Sequence, residues 1–293
     1  MTIDRLSHST VDSFLTCGEK LRLTKIEKIP QTPMWASVGG SAVHRATECL
    51  DLADFGLEED DATFTFEDAF EVEIAEQEAR TGIPQSEWIR TGRASKDWPD
   101  KQGKDWWLFN GQAQVNGWRS FLERSPWQVM ILPSGQPAVE VSFEAEIGGV
   151  PVLGYVDRVL EEVRRPEIRA VVDLKSGSRE PKSPRQLGGY GLGLKRTLGL
   201  DITWGFYFMT RKMATSEPAD LTRYHDGSLD HDYAKVWAAI QAGAFIPHPG
   251  DLCGVCGVRD YCREMGGVKA DEVRQFKAPV CTAENASSTS EEN

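Results

Sequence analysis

The 293-residue chain is 40% hydrophobic and 27% charged, the composition of a globular protein long enough to bury a substantial core. No apolar run approaches the roughly 20 residues of a membrane span, and the opening MTIDRLSHST has no apolar stretch of a secretory signal, so no membrane partner and a cytoplasmic setting are expected. The formal net charge of −12 argues against generalised attraction to nucleic acid. Phosphate is contacted by local bases, however, so the global sign decides little.

Taken in chain order, Ser7 or Ser9 caps a helix carrying Val11, Phe14, Leu15 and Leu21 at helical spacing, and Pro30 and Pro33 end it. A second helix is predicted from about Gly40 to Ala53 and a third from roughly Phe66 to Arg80. The third lies in an acidic run: residues 51–78 carry twelve acids and no Lys or Arg, read as a solvated face that could also meet a protein partner. A long helix over about Lys104–Glu123 covers a sheet, with its tryptophans read as core rather than base-stacking platforms. Residues 54–127 together read as a helical insertion.

The centre changes texture. Val139–Ile147 alternates apolar and polar residues, Gly148-Gly149 turns the chain, and Val150–Leu160 returns as the second strand of a hairpin. Arg169–Leu174 is apolar enough for a central strand. A helix over about Ser183–Thr197 follows, capped by Ser183 with Pro184 in its first turn, then a strand at Thr203–Thr210 and a helix at Leu229–Ala242. Strands in the middle with helices on both sides imply one α/β domain over 1–265, and a disordered tail over 266–293 that ends ASSTSEEN.

Two constellations carry chemistry. Cys253, Cys256 and Cys262 form C-x2-C-x5-C, and Cys17 lies far upstream. In a reducing compartment such cysteines are metal ligands more readily than disulfides, and four thiolates suit an iron–sulfur cluster or a structural zinc. Cys49 and Cys281 fall outside that pattern, and read as a buried apolar residue and a tail thiol. Asp157 in GYVDRV is expected at the end of a strand and, sixteen residues on, Asp173 and Lys175 flank Leu174 in VVDLKSG. Residues i and i+2 of a strand share a face. Two carboxylates with a backbone carbonyl, that of Leu174, make a hard oxygen site for Mg²⁺ or Mn²⁺. A lysine beside that site suits phosphodiester hydrolysis.

GYVDRV, VVDLKSG, then Gln186-x3-Tyr190 on the following helix, with GGSAVHRATE around His44 and LSHSTVDSFLTC around Cys17, resembles the PD-(D/E)xK nuclease superfamily. The resemblance is to its RecB-like branch, including AddB-type nuclease domains and CRISPR-associated RecB-like exonucleases. It covers about 5–45 and 139–262. It implies a restriction-endonuclease-like central mixed sheet flanked by helices, and a metal-dependent DNA exonuclease acting on single-stranded ends. His44, Asp157, Asp173 and the Leu174 carbonyl would hold the metal, and Lys175 would act at the phosphate. Gln186 and Tyr190 would contact DNA beside Lys182 and Arg185. Cys17, Cys253, Cys256 and Cys262 would hold a [4Fe-4S] cluster, with Zn²⁺ as the alternative. Asp173 stands where the family often has Glu, and either acid binds metal. A catalytically weak DNA-end-binding or partner-docking module is the other reading, against which the intact acid–acid–lysine set argues. A compact stand-alone nuclease would also suit a phage genome.

Overall fold

The computed structural model of the chain describes residues 3–56, 65–225 and 227–273. Part of the acidic run, Cys281 and most of the expected tail lie outside them. The centre is a seven-stranded mixed sheet, as the α/β reading predicts. Strand β1 (Trp127–Val129) and β2 (Val139–Ile147) both pair with β3 (Val150–Glu162), which runs antiparallel to β4 (Arg165–Lys175). β4 is parallel to β5 (Trp204–Met209), and the two-residue strands β6 (Ala214–Thr215) and β7 (Ala219–Asp220) pair with β5. Gly148 and Gly149 join β2 to β3 with φ of 63° and 72°, the left-handed pair that a two-residue hairpin turn requires.

The sheet is covered on both faces. Val11 of α1 (His8–Thr16), Leu187 and Leu194 of α6 (Arg185–Leu198) and Val236 of α7 (Ser228–Gln241) pack on Val141, Val159, Val171 and Tyr207. α6 supplies the crossover that two parallel strands need. On the opposite face Trp118 of α5 (Lys104–Arg124) packs on Leu160, Val172, Leu174 and Phe208. A helical layer beside this holds Trp35 and Val43 of α3 (Trp35–Ala53), Phe66 and Phe70 of α4 (Phe66–Thr81), and Trp107 of α5. Helices α4 and α5 belong to the 54–127 segment, so that segment supplies part of the sheet's own cover.

Several boundaries differ from the sequence reading. The first predicted helix is two: Ser7 caps α1, but Cys17 is extended (φ −165°, ψ 106°) and separates it from α2 (Gly18–Leu21), which passes into a π turn at Arg22–Ile26. Apolar periodicity across the break hides it. Helix α3 begins five residues earlier than predicted, because Gly39 and Gly40 are helical where glycine reads as a breaker. Pro184, not Ser183, occupies the cap position of α6, and the Ser183 hydroxyl accepts from the Arg185 N–H at 3.3 Å. Gly266–Val273, expected to be disordered, is ordered: Val273 is buried with Leu23 and Val258.

Candidate active site

Asp157 and Asp173 meet across the β3–β4 ladder, one step outward from the paired Arg158 and Val172. Asp157 Oδ2 accepts from the Leu174 N–H at 2.7 Å, which fixes the carboxylate against the neighbouring strand. Asp173 is 1% exposed; its Oδ2 pairs with Lys175 Nζ at 2.6 Å and its Oδ1 accepts from Gln186 Nε2 at 2.7 Å. The lysine ammonium also donates to Gln186 Oε1 at 2.9 Å, and Nζ lies 5.8 Å from the Tyr207 ring centroid.

His44 enters from α3. Its Nε2 is 2.9 Å from the Leu174 carbonyl and its Nδ1 3.4 Å from Asp157 Oδ2. The close approach of α3 has a steric cause: a Cβ on Gly40 would come within 2.6 Å of the Ser176 hydroxyl, and one on Gly39 would enter the Trp107 ring. The two glycines that look like breakers are therefore what lets the histidine reach the strand.

Among the described residues, His44, Glu140 and Asp157 place ligand atoms within 4.8 Å of one another. Glu140 is a residue the sequence reading missed. It sits in β2 with φ of 46°, a left-handed conformation in a non-glycine residue. That interrupts the alternation that made it look like one more outward polar position. An off-region backbone angle leaves no mark on an apolar–polar pattern.

The electrostatics fit a cation site. Burial, then repulsion from Asp157, pushes the Glu140 carboxyl up to about 7. Burial and Asp157 push Asp173 up to about 6, with Lys175 opposing. Asp157 is raised and His44 lowered, each chiefly by burial. Crowded carboxylates that repel one another, an imidazole and a carbonyl form a donor set that suits Mg²⁺ or Mn²⁺. Asp173 lies outside this trio: its Oδ1 accepts from Gln186, while its Oδ2, ion-paired with Lys175, is buried with no hydrogen-bond partner among the described residues.

The remaining expected residues divide. Gln186 donates a second bond to the Tyr190 hydroxyl at 2.7 Å, and Tyr190 is 8% exposed against Phe143. The polar atoms of this pair thus turn inward on Asp173 and Lys175, not out toward a ligand. Lys182 is exposed, and Arg185 pairs with Asp232 at 2.8 Å. Cys17, Cys253 and Cys256 line one cavity of about 380 Å³. Cys256 and Cys262 both pack on the Leu23, Val258 and Val273 cluster, and burial raises the Cys262 thiol. The Thr32 N–H bonds the Gly257 carbonyl at 2.9 Å and Gly18 abuts the Ile246 backbone, so the two ends of the chain do meet here. Cys49 lies on α3, away from this group in sequence and fold.

A model of the PD-(D/E)XK nuclease superfamily matches residues 5–263. The chain belongs to that superfamily. The central mixed sheet flanked by helices is consistent with that superfamily's fold. Two relatives are both called Gene 69 protein. The one from Mycobacterium phage D29 is 28% identical over 280 residues, and the one from Mycobacterium phage L5 is 26% identical over 289. Each alignment covers 87% of this chain and 95% of the relative. No described helix is long and apolar enough to cross a membrane.

Proposed function

We propose that this chain is a Mg²⁺- or Mn²⁺-dependent deoxyribonuclease, working as an exonuclease on DNA ends of single-stranded character. The observation that carries the proposal is the convergence of His44, Glu140 and Asp157 beside the Asp173–Lys175–Gln186 chain. When bound, the divalent ion supplies Lewis-acid polarisation of the phosphate. Asp157, Glu140 and His44 would hold it, with Asp173 and the Leu174 carbonyl at its edge. Lys175 Nζ has three N–H groups; Asp173 and Gln186 take two, and the third is left for a phosphoryl oxygen. A fixed cation there stabilises the charge that develops as water attacks phosphorus. Gln186, held by Tyr190, keeps both Asp173 and Lys175 in place and so acts as a positioning residue. The two phage relatives support a phage genome as the setting.

We also propose that Cys17, Cys253, Cys256 and Cys262 hold a [4Fe-4S] cluster. The separation of the C-terminal trio from Cys17 supports a cluster over an autonomous zinc module, whose ligands are usually close in sequence.

The test is end-labelled oligonucleotide incubated with Mg²⁺ or Mn²⁺, against chelated controls. Stepwise shortening is expected, and Lys175→Ala should slow it about 10²–10³-fold without lowering the melting temperature. Absence of cleavage by the unmodified chain with either metal would leave only a DNA-end-binding module.

A further inference from the structure

We propose that Trp98 and Phe109 form a stacking platform for single-stranded DNA, outside the reaction centre and rimmed by the bases of the 90–104 loop. This rests on the nuclease reading above and extends it to where the strand lies.

Three observations converge. First, Phe109 on α5 is 75% exposed, and its one aromatic neighbour among the described residues is Trp98, 5.4 Å away between centroids and tilted by 55°. Trp98 itself is half-buried. The pair therefore offers a π face to solvent, unlike Trp107 and Trp118 of the same helix, which are fully buried.

Second, the local charge opposes that of the chain. Residues 90–104 contain five bases (Arg90, Arg93, Lys96, Lys101, Lys104) against Asp97 and Asp100, a balance of +3 in a protein of −12. Lys104 is paired with Glu71, while the other four bases are exposed. Exposed bases beside aromatic faces are the combination that tracks a single strand: cations meet the phosphates and bases stack on the rings. A duplex has its base faces already stacked and cannot use such a surface.

Third, the platform is continuous with the reaction centre. Trp106 lies one helical turn before Phe109 and shares its face. The Arg211 guanidinium sits over the Trp106 ring at 4.4 Å and donates to Gln102 of the basic loop at 3.3 Å. Arg211 belongs to the turn Thr210–Lys212 that ends β5, where Met209 pairs with Lys175 and the Thr210 hydroxyl donates to the Lys175 carbonyl at 3.4 Å. The aromatic strip thus begins at the strand end that carries the lysine.

The experiment compares the unmodified chain with Phe109→Ala, Trp98→Ala and Arg93→Ala/Lys96→Ala. Binding of 5′-fluorescein oligo(dT) and of a blunt hairpin is followed by anisotropy with Ca²⁺ as the divalent ion, and cleavage of oligo(dT) is followed with Mg²⁺. Each aromatic variant should weaken oligo(dT) binding roughly 5- to 150-fold, the factor corresponding to about 1–3 kcal/mol for one stacked base. Hairpin affinity and melting temperature should hold, and KM should rise while kcat stays within about twofold. The double charge variant should flatten the slope of log affinity against log salt by roughly 1.4. Unaltered oligo(dT) affinity in both aromatic variants overturns the platform, whatever the cleavage result; a surface reserved for a protein partner would give that outcome. Absence of DNA cleavage by the unmodified chain, with oligo(dT) binding still lost in the variants, overturns the nuclease reading and leaves the platform standing.

Discussion

Removing the Asp51 carboxylate should destabilise the protein more than any change at the reaction centre. Arg158 is 1% exposed, and its Nε donates to Asp51 Oδ2 at 2.5 Å. The same carboxylate accepts from the Trp118 indole at 2.9 Å. Burial pushes Asp51 up, against the pull of Arg158 and Trp118, so desolvation offsets much of the attraction in this pair. What Asp51→Ala leaves behind is a buried guanidinium without its counter-ion and an indole N–H without its acceptor. Breaking such a pair costs about 3–5 kcal/mol. At about 2–3 °C per kcal/mol for a chain of this size, the melting temperature should fall by roughly 6–15 °C. Replacing both partners, Asp51→Leu with Arg158→Met, should recover most of that, because neither charge then needs solvating. Differential scanning calorimetry of the two single variants and the double variant completes the cycle. A single variant within about 2 °C of the parent, or a double variant as unstable as the sum of the singles, would refute the reasoning. Arg158 also donates to the Asp157 carbonyl at 2.6 Å and stands 3.6 Å from Glu140, so the destabilised single variant should bind Mn²⁺ more weakly as well.

Three further outcomes are expected. Tyr190→Phe removes only the hydroxyl that holds Gln186, so oligonucleotide affinity should stay near normal while kcat falls about tenfold; Gln186→Ala should fall further, and loss of affinity with unchanged kcat would instead make both DNA contacts. Glu140 and Asp173, raised to about 7 and about 6, bind more protons folded than unfolded between their ordinary range and those values. Their contribution to stability is therefore present at low pH and lost as pH rises toward 7. Chelated protein should melt lower at pH 8 than at pH 5.5, Mn²⁺ should restore more at pH 8, and Glu140→Gln should flatten the difference, each checked by thermal melts. Replacing Cys17, Cys253, Cys256 or Cys262 by Ser should abolish iron and acid-labile sulfide together, and Cys49→Ser should change neither; stoichiometric zinc without sulfide would replace the cluster with a zinc site.

The strands and most helices were legible because they obey local rules. Alternation marks β2, the paired glycines mark its turn, and the apolar run in Arg169–Leu174 marks a central strand. GYVDRV and VVDLKSG stand out only through their order with GGSAVHRATE and Gln186-x3-Tyr190, because a lone D-x-K triplet can occur at any charged strand end. Glu140, Arg158 and Asp51 did not stand out, for physical reasons. Arg158 follows Asp157 directly and no local pattern marks it as buried; its burial comes from the Asp51 carboxylate of α3 and the Trp118 ring of α5. Asp51 sits in the acidic run that reads as solvated, yet it is 5% exposed. The role of each depends on contacts between segments about seventy to over a hundred residues apart, and no local pattern encodes those. The split at Cys17 escaped notice because a single extended residue costs the apolar periodicity nothing.

The contact between Gly40 and Ser176 has a consequence for how this centre can change. A side chain at position 40 is admissible only if the Ser176 hydroxyl turns away or is absent, so the two positions are coupled: what residue 40 can be depends on what residue 176 is. The nearness of His44 to the strand therefore belongs to the pair and not to the helix alone.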